Sequence, residues 1–225
     1  VYTNEIAMKE FFDNFDIEEF IPKYRGVVSE IYSKQLEDLA NNFWVVPPSF
    51  SLFGAQILSP KKYSPDELAT KFLNIYSKDN YKIFDIIIPH TDREYHDILN
   101  QVLACLRQGY FGICIPTLTS IFEGVIAGKL DIHEIKYQHP LVKKIDTDYY
   151  TGVELFTALS INEFIKVFFK PHNFKEEKPR NLNRHWIQHG RIDFDYTAKD
   201  VIQLLNAVCS ASSLVEWRSR LANGM

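Results

Sequence analysis

Residues 110–127 read YFGICIPTLTSIFEGVIA, an apolar stretch in which Glu123 is the only charged residue. A helix without a polar face cannot lie on a surface and must be enclosed on all sides. That requirement favours a bundle, and the flanking sequence supplies the other members. Residues 92–108, DREYHDILNQVLACLRQ, place Tyr95, Ile98, Leu99, Val102, Leu103 and Leu106 on one helical face. Asp92 and Glu94 stand at its start and Arg107 at its end, as the helix dipole favours, and Gly109 breaks it. Residues 152–170 form a third amphipathic helix ended by Pro171. Thr197 or Asp195 caps a fourth, from about Ala198 to Leu214. Pro116 is expected to kink the central helix or limit its first half. The fold expected is all-α, a four-helix bundle with a helical N-terminal extension.

The division expected is an extension over residues 1–80 and a bundle over 81–225. Within the extension, residues 17–42 place Val27, Val28, Ile31, Leu36 and Leu39 at helical spacing. Pro47 and Pro48 end that unit. Ser64-Pro65-Asp66-Glu67 is a capping box that opens a helix to about Ser77. KIFDIIIP, residues 82–89, reads as non-strand because no partner strand is visible. Residues 128–150 read as a loop with one short helical turn.

Several function classes are set aside by what the chain lacks. It has no GxGxxG, Walker A or GxSxG motif, which removes the common nucleotide-dependent enzymes and the α/β hydrolases. No stretch reaches the ~20 continuous apolar residues of a membrane helix, and the acidic N-terminus has no leader pattern. The three cysteines, Cys105, Cys114 and Cys209, are far apart and form no CxxC pair, as expected of a reducing, cytoplasmic setting. The formal net charge of −4 argues against a general nucleic-acid coat. Yet Lys166, Lys170, Lys175, Lys178, Arg180, Arg184 and Arg191 face only Glu176 and Glu177 within one short span. A basic segment on an acidic body is the footprint of a local anion site.

That segment contains NRHWIQHGR, residues 183–191. Gly190 can take a positive φ and close a short helix. His189 then stands at the helix end, with Arg184 about one and a half turns earlier. Arginine offers a planar cation suited to phosphate, and histidine can take and give protons near neutrality. Together they suit phosphodiester cleavage. The plainer reading is a helix-end cation pair bonded to carbonyls or to an acidic side chain. His185 and His189 also have i, i+4 metal-ligand spacing, but Trp186 stands where the zinc-protease pattern needs Glu. Only His172 is near enough in sequence to be a third ligand, so no metal site is expected.

The motif R-H-W-I-Q-H-G, lying between the last two helices of a bundle, resembles the R-x(4–6)-H motif of the HEPN superfamily. The resemblance covers about residues 92–214. It includes the helix of residues 109–128, where an acidic residue of the family helps to hold the motif arginine; Glu123 would fill that role. The resemblance implies a metal-independent endoribonuclease without a cofactor, found among toxins, phage-defence effectors and RNA-processing factors. It implies a homodimer with the site at the interface, RNA as substrate, and an antitoxin or larger defence complex as a possible partner. Arg184 and His189 would be catalytic, with His185 in the polar slot after the arginine. Arg180, Asn183, Gln188 and Arg191 would contact RNA or phosphate. A second register, Arg180 with His185, also fits and would make His185 the base. The order Arg184–His189 is preferred because Gly190 follows the histidine. Two rival functions stay open: an inactive HEPN module binding RNA, nucleotide or a partner protein, and a purely structural helical dimerisation domain.

Overall fold

The computed structural model describes residues 17–47, 63–130, 145–171, 181–190 and 195–222, together with Lys175, Glu177 and Pro179. Among these residues the chain is helical and contains no strand. The helices are α1 (Ile17–Asn41), α2 (Pro65–Ser77), α3 (Ile83–Ile87), α4 (His96–Arg107), α5 (Phe111–Gly128), α6 (Gly152–Phe168), α7 (Arg184–Gln188) and α8 (Ala198–Ala222). Single 3₁₀ turns at Ile88–His90, Arg93–Tyr95 and Thr147–Tyr149 join them.

Local chemistry sets most of the boundaries. Ser64 accepts from the Glu67 amide while Glu67 accepts from the Ser64 amide, so α2 starts on the expected capping box. Thr197 and Asp200 make the same reciprocal pair at the start of α8. Gly109, with φ +81°, separates α4 from α5. Pro116 lies inside α5, which runs unbroken from Phe111 to Gly128. The stretch 82–89 is α3 and a 3₁₀ turn, in line with its non-strand reading.

α5 is packed against α4, α7 and α8. Its length and mean hydropathy of 1.5 alone would suffice to cross a membrane, and it is the one described helix of which this holds. In the fold, Ile115, Leu118, Phe122, Val125 and Ile126 are completely enclosed, but Ile113, Pro116, Ser120 and Gly124 on the other face are exposed, so α5 is not enclosed on all sides as its composition suggests. α8 is the other central element. It touches α2, α5 and α6, and every residue from Val201 to Ser212 is buried. α1 packs along α6. Buried residues from Val28 to Val215 belong to one hydrophobic cluster, to which residues before and after position 80 both contribute.

The chain leaving α1 is irregular but buried, and side chains satisfy its backbone. Gln203 donates to the Asn42 carbonyl at 2.8 Å, and Asn206 donates to the Val45 carbonyl at 2.8 Å. The Val46 amide donates to Ser160 Oγ at 2.9 Å. Asn162 grips the backbone of Ile145 through both ends of its amide.

Three further expectations need correction. Val27 and Ile31 do not face the core: they are 53% and 56% exposed, because α6 covers only the face carrying Val28, Leu36 and Leu39. α8 does not stop at Leu214 but runs to Ala222, its last turns amphipathic, with Trp217 against the core and Glu216 paired with Arg220. The helix expected from residue 92 begins as a 3₁₀ turn and becomes α-helical at His96.

The thiols give a test of this packing. Cys114 and Cys209 are buried and Cys105 is partly exposed. Burial pushes the Cys114 thiol up to about 11 and that of Cys209 higher still. Only Cys105 should react with a thiol reagent in native protein. In the unfolded chain Cys209 ionises near its ordinary value of about 8.5, whereas the folded chain keeps it protonated. Its contribution is therefore complete below that pH and is lost at ~1.4 kcal/mol per pH unit above it. Denaturant midpoints from pH 7 to 10 should fall less steeply in Cys209→Ala than in the wild type. Parallel profiles would contradict the buried assignment.

Candidate functional site around Arg184 and His189

α7 is short because both its ends are fixed. Asn183 caps its start, accepting from the Trp186 amide at 3.3 Å. The same side chain donates to the Lys170 carbonyl at 2.8 Å, tying α7 to the end of α6. At the other end Gly190 takes φ +61° and turns the chain away. Trp186 and Ile187 are buried and anchor the helix against the bundle. Trp186 is 9% exposed, which leaves little of its ring for stacking on a base.

This anchoring puts Arg184 against α5. Its Nε donates to Glu123 Oε2 at 3.0 Å, and its Nη2 donates to Oε1 at 2.7 Å and Oε2 at 3.0 Å. The side chains are 12% and 22% exposed, so the pair is largely shielded from solvent. A two-point contact fixes the guanidinium plane as well as its position. The pairing expected of Glu123 is thus present in the fold. One turn separates His185 from His189, and their rings meet edge to face with centroids 4.6 Å apart. His189 is exposed and His185 half-buried. α7 thus carries a positioned guanidinium and two imidazoles, residue types suited to binding a phosphate and to proton transfer.

The remaining candidates separate. Gln188 is exposed beside His189. Asn183 is 3% exposed and both ends of its amide are engaged, so it positions α7 and does not reach out to a phosphate. Arg180, Arg191 and His172 lie outside the described residues. No group of three or more potential metal ligands occurs among the described residues.

A cleft of about 780 Å³ runs between α1, α6 and the segment leading into α7. Lys166 and Lys170 line it, and Lys34 of α1 lines it with them. Lys166 is paired with Glu163, and Lys34 with Asp38. Asn181 donates to the Asn41 carbonyl and holds the loop to α1 at its edge. Sequence reasoning missed Lys34 and Asn181. Lys34 stands in no motif, and only the packing of α1 on α6 brings it to the cleft; Asn181 falls within the second register, Arg180 with His185, but its bond to Asn41 has no local sign.

Compared with protein-family models, with curated proteins and with solved structures, the chain matches none.

The Glu123–Arg184 contact can be measured directly. A double-mutant cycle with Glu123→Ala and Arg184→Ala, read by denaturant unfolding, should give a coupling energy of ~1–3 kcal/mol. Either single change should destabilise, because each leaves a shielded charge without its partner. A coupling near zero would mean that the contact does not hold α7 in place.

Proposed function

We propose that the chain is a HEPN-type, metal-independent endoribonuclease, working as a cytoplasmic homodimer with its sites at the dimer interface, in the role of a toxin or phage-defence effector. The observation that carries this reading is the two-point Glu123–Arg184 contact beside the His185–His189 pair. The order of elements supports it as well. In this reading α4, α5, α6 and α8 would be the four bundle helices, with α7 between the last two in chain order.

In the proposed reaction a histidine takes the proton of a ribose 2′-OH. The oxygen attacks the adjacent phosphorus, a 2′-O–P bond forms and the P–O5′ bond breaks. The leaving 5′ oxygen takes up a proton. Arg184 faces the charge on the non-bridging oxygens, held for that purpose by Glu123. The products are a 2′,3′-cyclic phosphate and a 5′-OH. The nucleophile belongs to the substrate, so the chemistry needs no metal, and DNA lacks the group required. General acid–base help of this kind contributes ~10²–10⁴-fold. Lys166, Lys170 and Lys34 would gather the RNA electrostatically. An antitoxin would act by covering this surface.

One observation favours a second reading, an inactive HEPN module that binds RNA, nucleotide or a partner protein. Arg184 is only 12% exposed and already faces a carboxylate, as a purely structural arginine would.

RNA cleavage in EDTA separates the two, with the wild type beside His189→Ala, His185→Ala, Arg184→Ala and Arg184→Lys, each checked for helical content. Cyclic-phosphate ends that fall at least ~10²-fold in His189→Ala and in a folded Arg184 variant support the nuclease. Loss in His185→Ala alone moves the base to His185. No cleavage of any RNA by folded protein overturns the nuclease in favour of the binding module.

A further inference from the structure

α1 carries an apolar stripe on its outer side. Phe20, Val27 and Ile31 are exposed, and Tyr24, half-buried, lies between them. The rings of Phe20 and Tyr24 stack with centroids 6.2 Å apart. α1 cannot turn this stripe inward, because its other faces are held. Arg25 donates to the Tyr150 carbonyl at 3.2 Å, the Tyr32 ring meets Phe156 edge to face, and Val28, Leu36 and Leu39 are buried.

The stripe positions, 20, 24, 27 and 31, are separated by four, three and four residues. That alternation is the repeat of a coiled-coil seam, in which each side chain enters a hole on a facing helix of the same spacing. The seam is ~17 Å long. Its next two positions are Lys34 and Asp38, which pair with each other and close the apolar run. A helix of matching spacing is therefore the shape that fits, and a second copy of α1 offers one.

The flanks of the seam select its direction. On one flank stand Val28 and Gln35, both buried in the chain's own fold. On the other stand Lys23 and Glu30, both exposed. In a parallel pair each of these charges would come beside position 28 or 35 of the second helix and meet no opposite charge. In an antiparallel pair the two exposed flanks face each other. Phe20 then packs on Ile31 of the second copy and Tyr24 on its Val27, and Lys23 comes beside its Glu30. The two-fold axis repeats each contact. The stripe is thus complementary to itself in both apolar register and charge.

We propose that the outer stripe of α1 is a docking surface for a second copy of this chain, which binds antiparallel through its own α1. The contact is separate from the dimer of the ribonuclease reading, whose residues lie on α5 and α7, and does not depend on it. A chain making both contacts assembles beyond a dimer.

Sedimentation equilibrium of the full chain from about 1 to 200 µM tests it. The seam is short, so this association should depend on concentration rather than be obligate. Val27→Glu combined with Ile31→Glu changes only exposed positions; it should keep the helical content and remove this association step. Lys23→Glu sets like charges against each other on the exposed flank and should weaken association ~3–10-fold; adding Glu30→Lys should restore it. His189→Ala should associate like the wild type, which separates this surface from the motif. The proposal is overturned if the wild type is no larger than the variant with both Val27→Glu and Ile31→Glu at any concentration, which would leave the stripe to a different occupant. It is equally overturned if Glu30→Lys fails to rescue Lys23→Glu.

Discussion

One face of α5 is apolar and buried, and much of the arrangement follows from covering it, while the face with Ile113, Pro116, Ser120 and Gly124 stays exposed. α8 covers one side of it, α4 another and α7 a third. The third cover matters most for the proposed chemistry. α7 is only five residues long, too short to persist alone, and it exists because Trp186 and Ile187 are buried while Asn183 and Gly190 fix its ends. The same contact with α5 places Arg184 within reach of Glu123, the single charge of that apolar helix. Core packing and site geometry therefore share their residues. A change that loosens α7 on α5 would disturb both.

Much of the helical order was legible because it is encoded locally. The capping box at Ser64, the left-handed glycines at 109 and 190 and the apolar face of α4 each involve residues a few positions apart. What stayed hidden depends on partners distant in sequence. Periodicity groups Val27 and Ile31 with Val28, but it does not tell which part of a broad apolar stripe meets α6. The end of α8 was placed where its apolar run ends, although an amphipathic helix continues past that point with only Trp217 turned inward. The buried path of residues 42–46 has no local signature, since its hydrogen-bond partners are amides and a hydroxyl on α6 and α8.

The candidate site divides in the same way. Arg184, His185 and His189 stand close together in sequence, and Gly190 marks where they end. Glu123 was reachable from the sequence only through the family resemblance, because 61 positions separate it from Arg184. Asn183 was misjudged for a simple reason. An asparagine beside an arginine suits a phosphate contact and a helix cap equally well, and only its second bond, to Lys170, decides between them.

The bonds from Gln203 and Asn206 to Asn42 and Val45 reach back across 161 positions of chain. During synthesis on the ribosome, Trp44 and its neighbours emerge long before the helix that covers them. The carbonyls of Asn42 and Val45 wait for their partners until Gln203 and Asn206, 161 positions later, have been made. Through that interval Trp44 has Phe72 and Tyr76 of α2 to pack on but the two carbonyls lack their native partners, and that is the stage at which a chaperone would have most to protect.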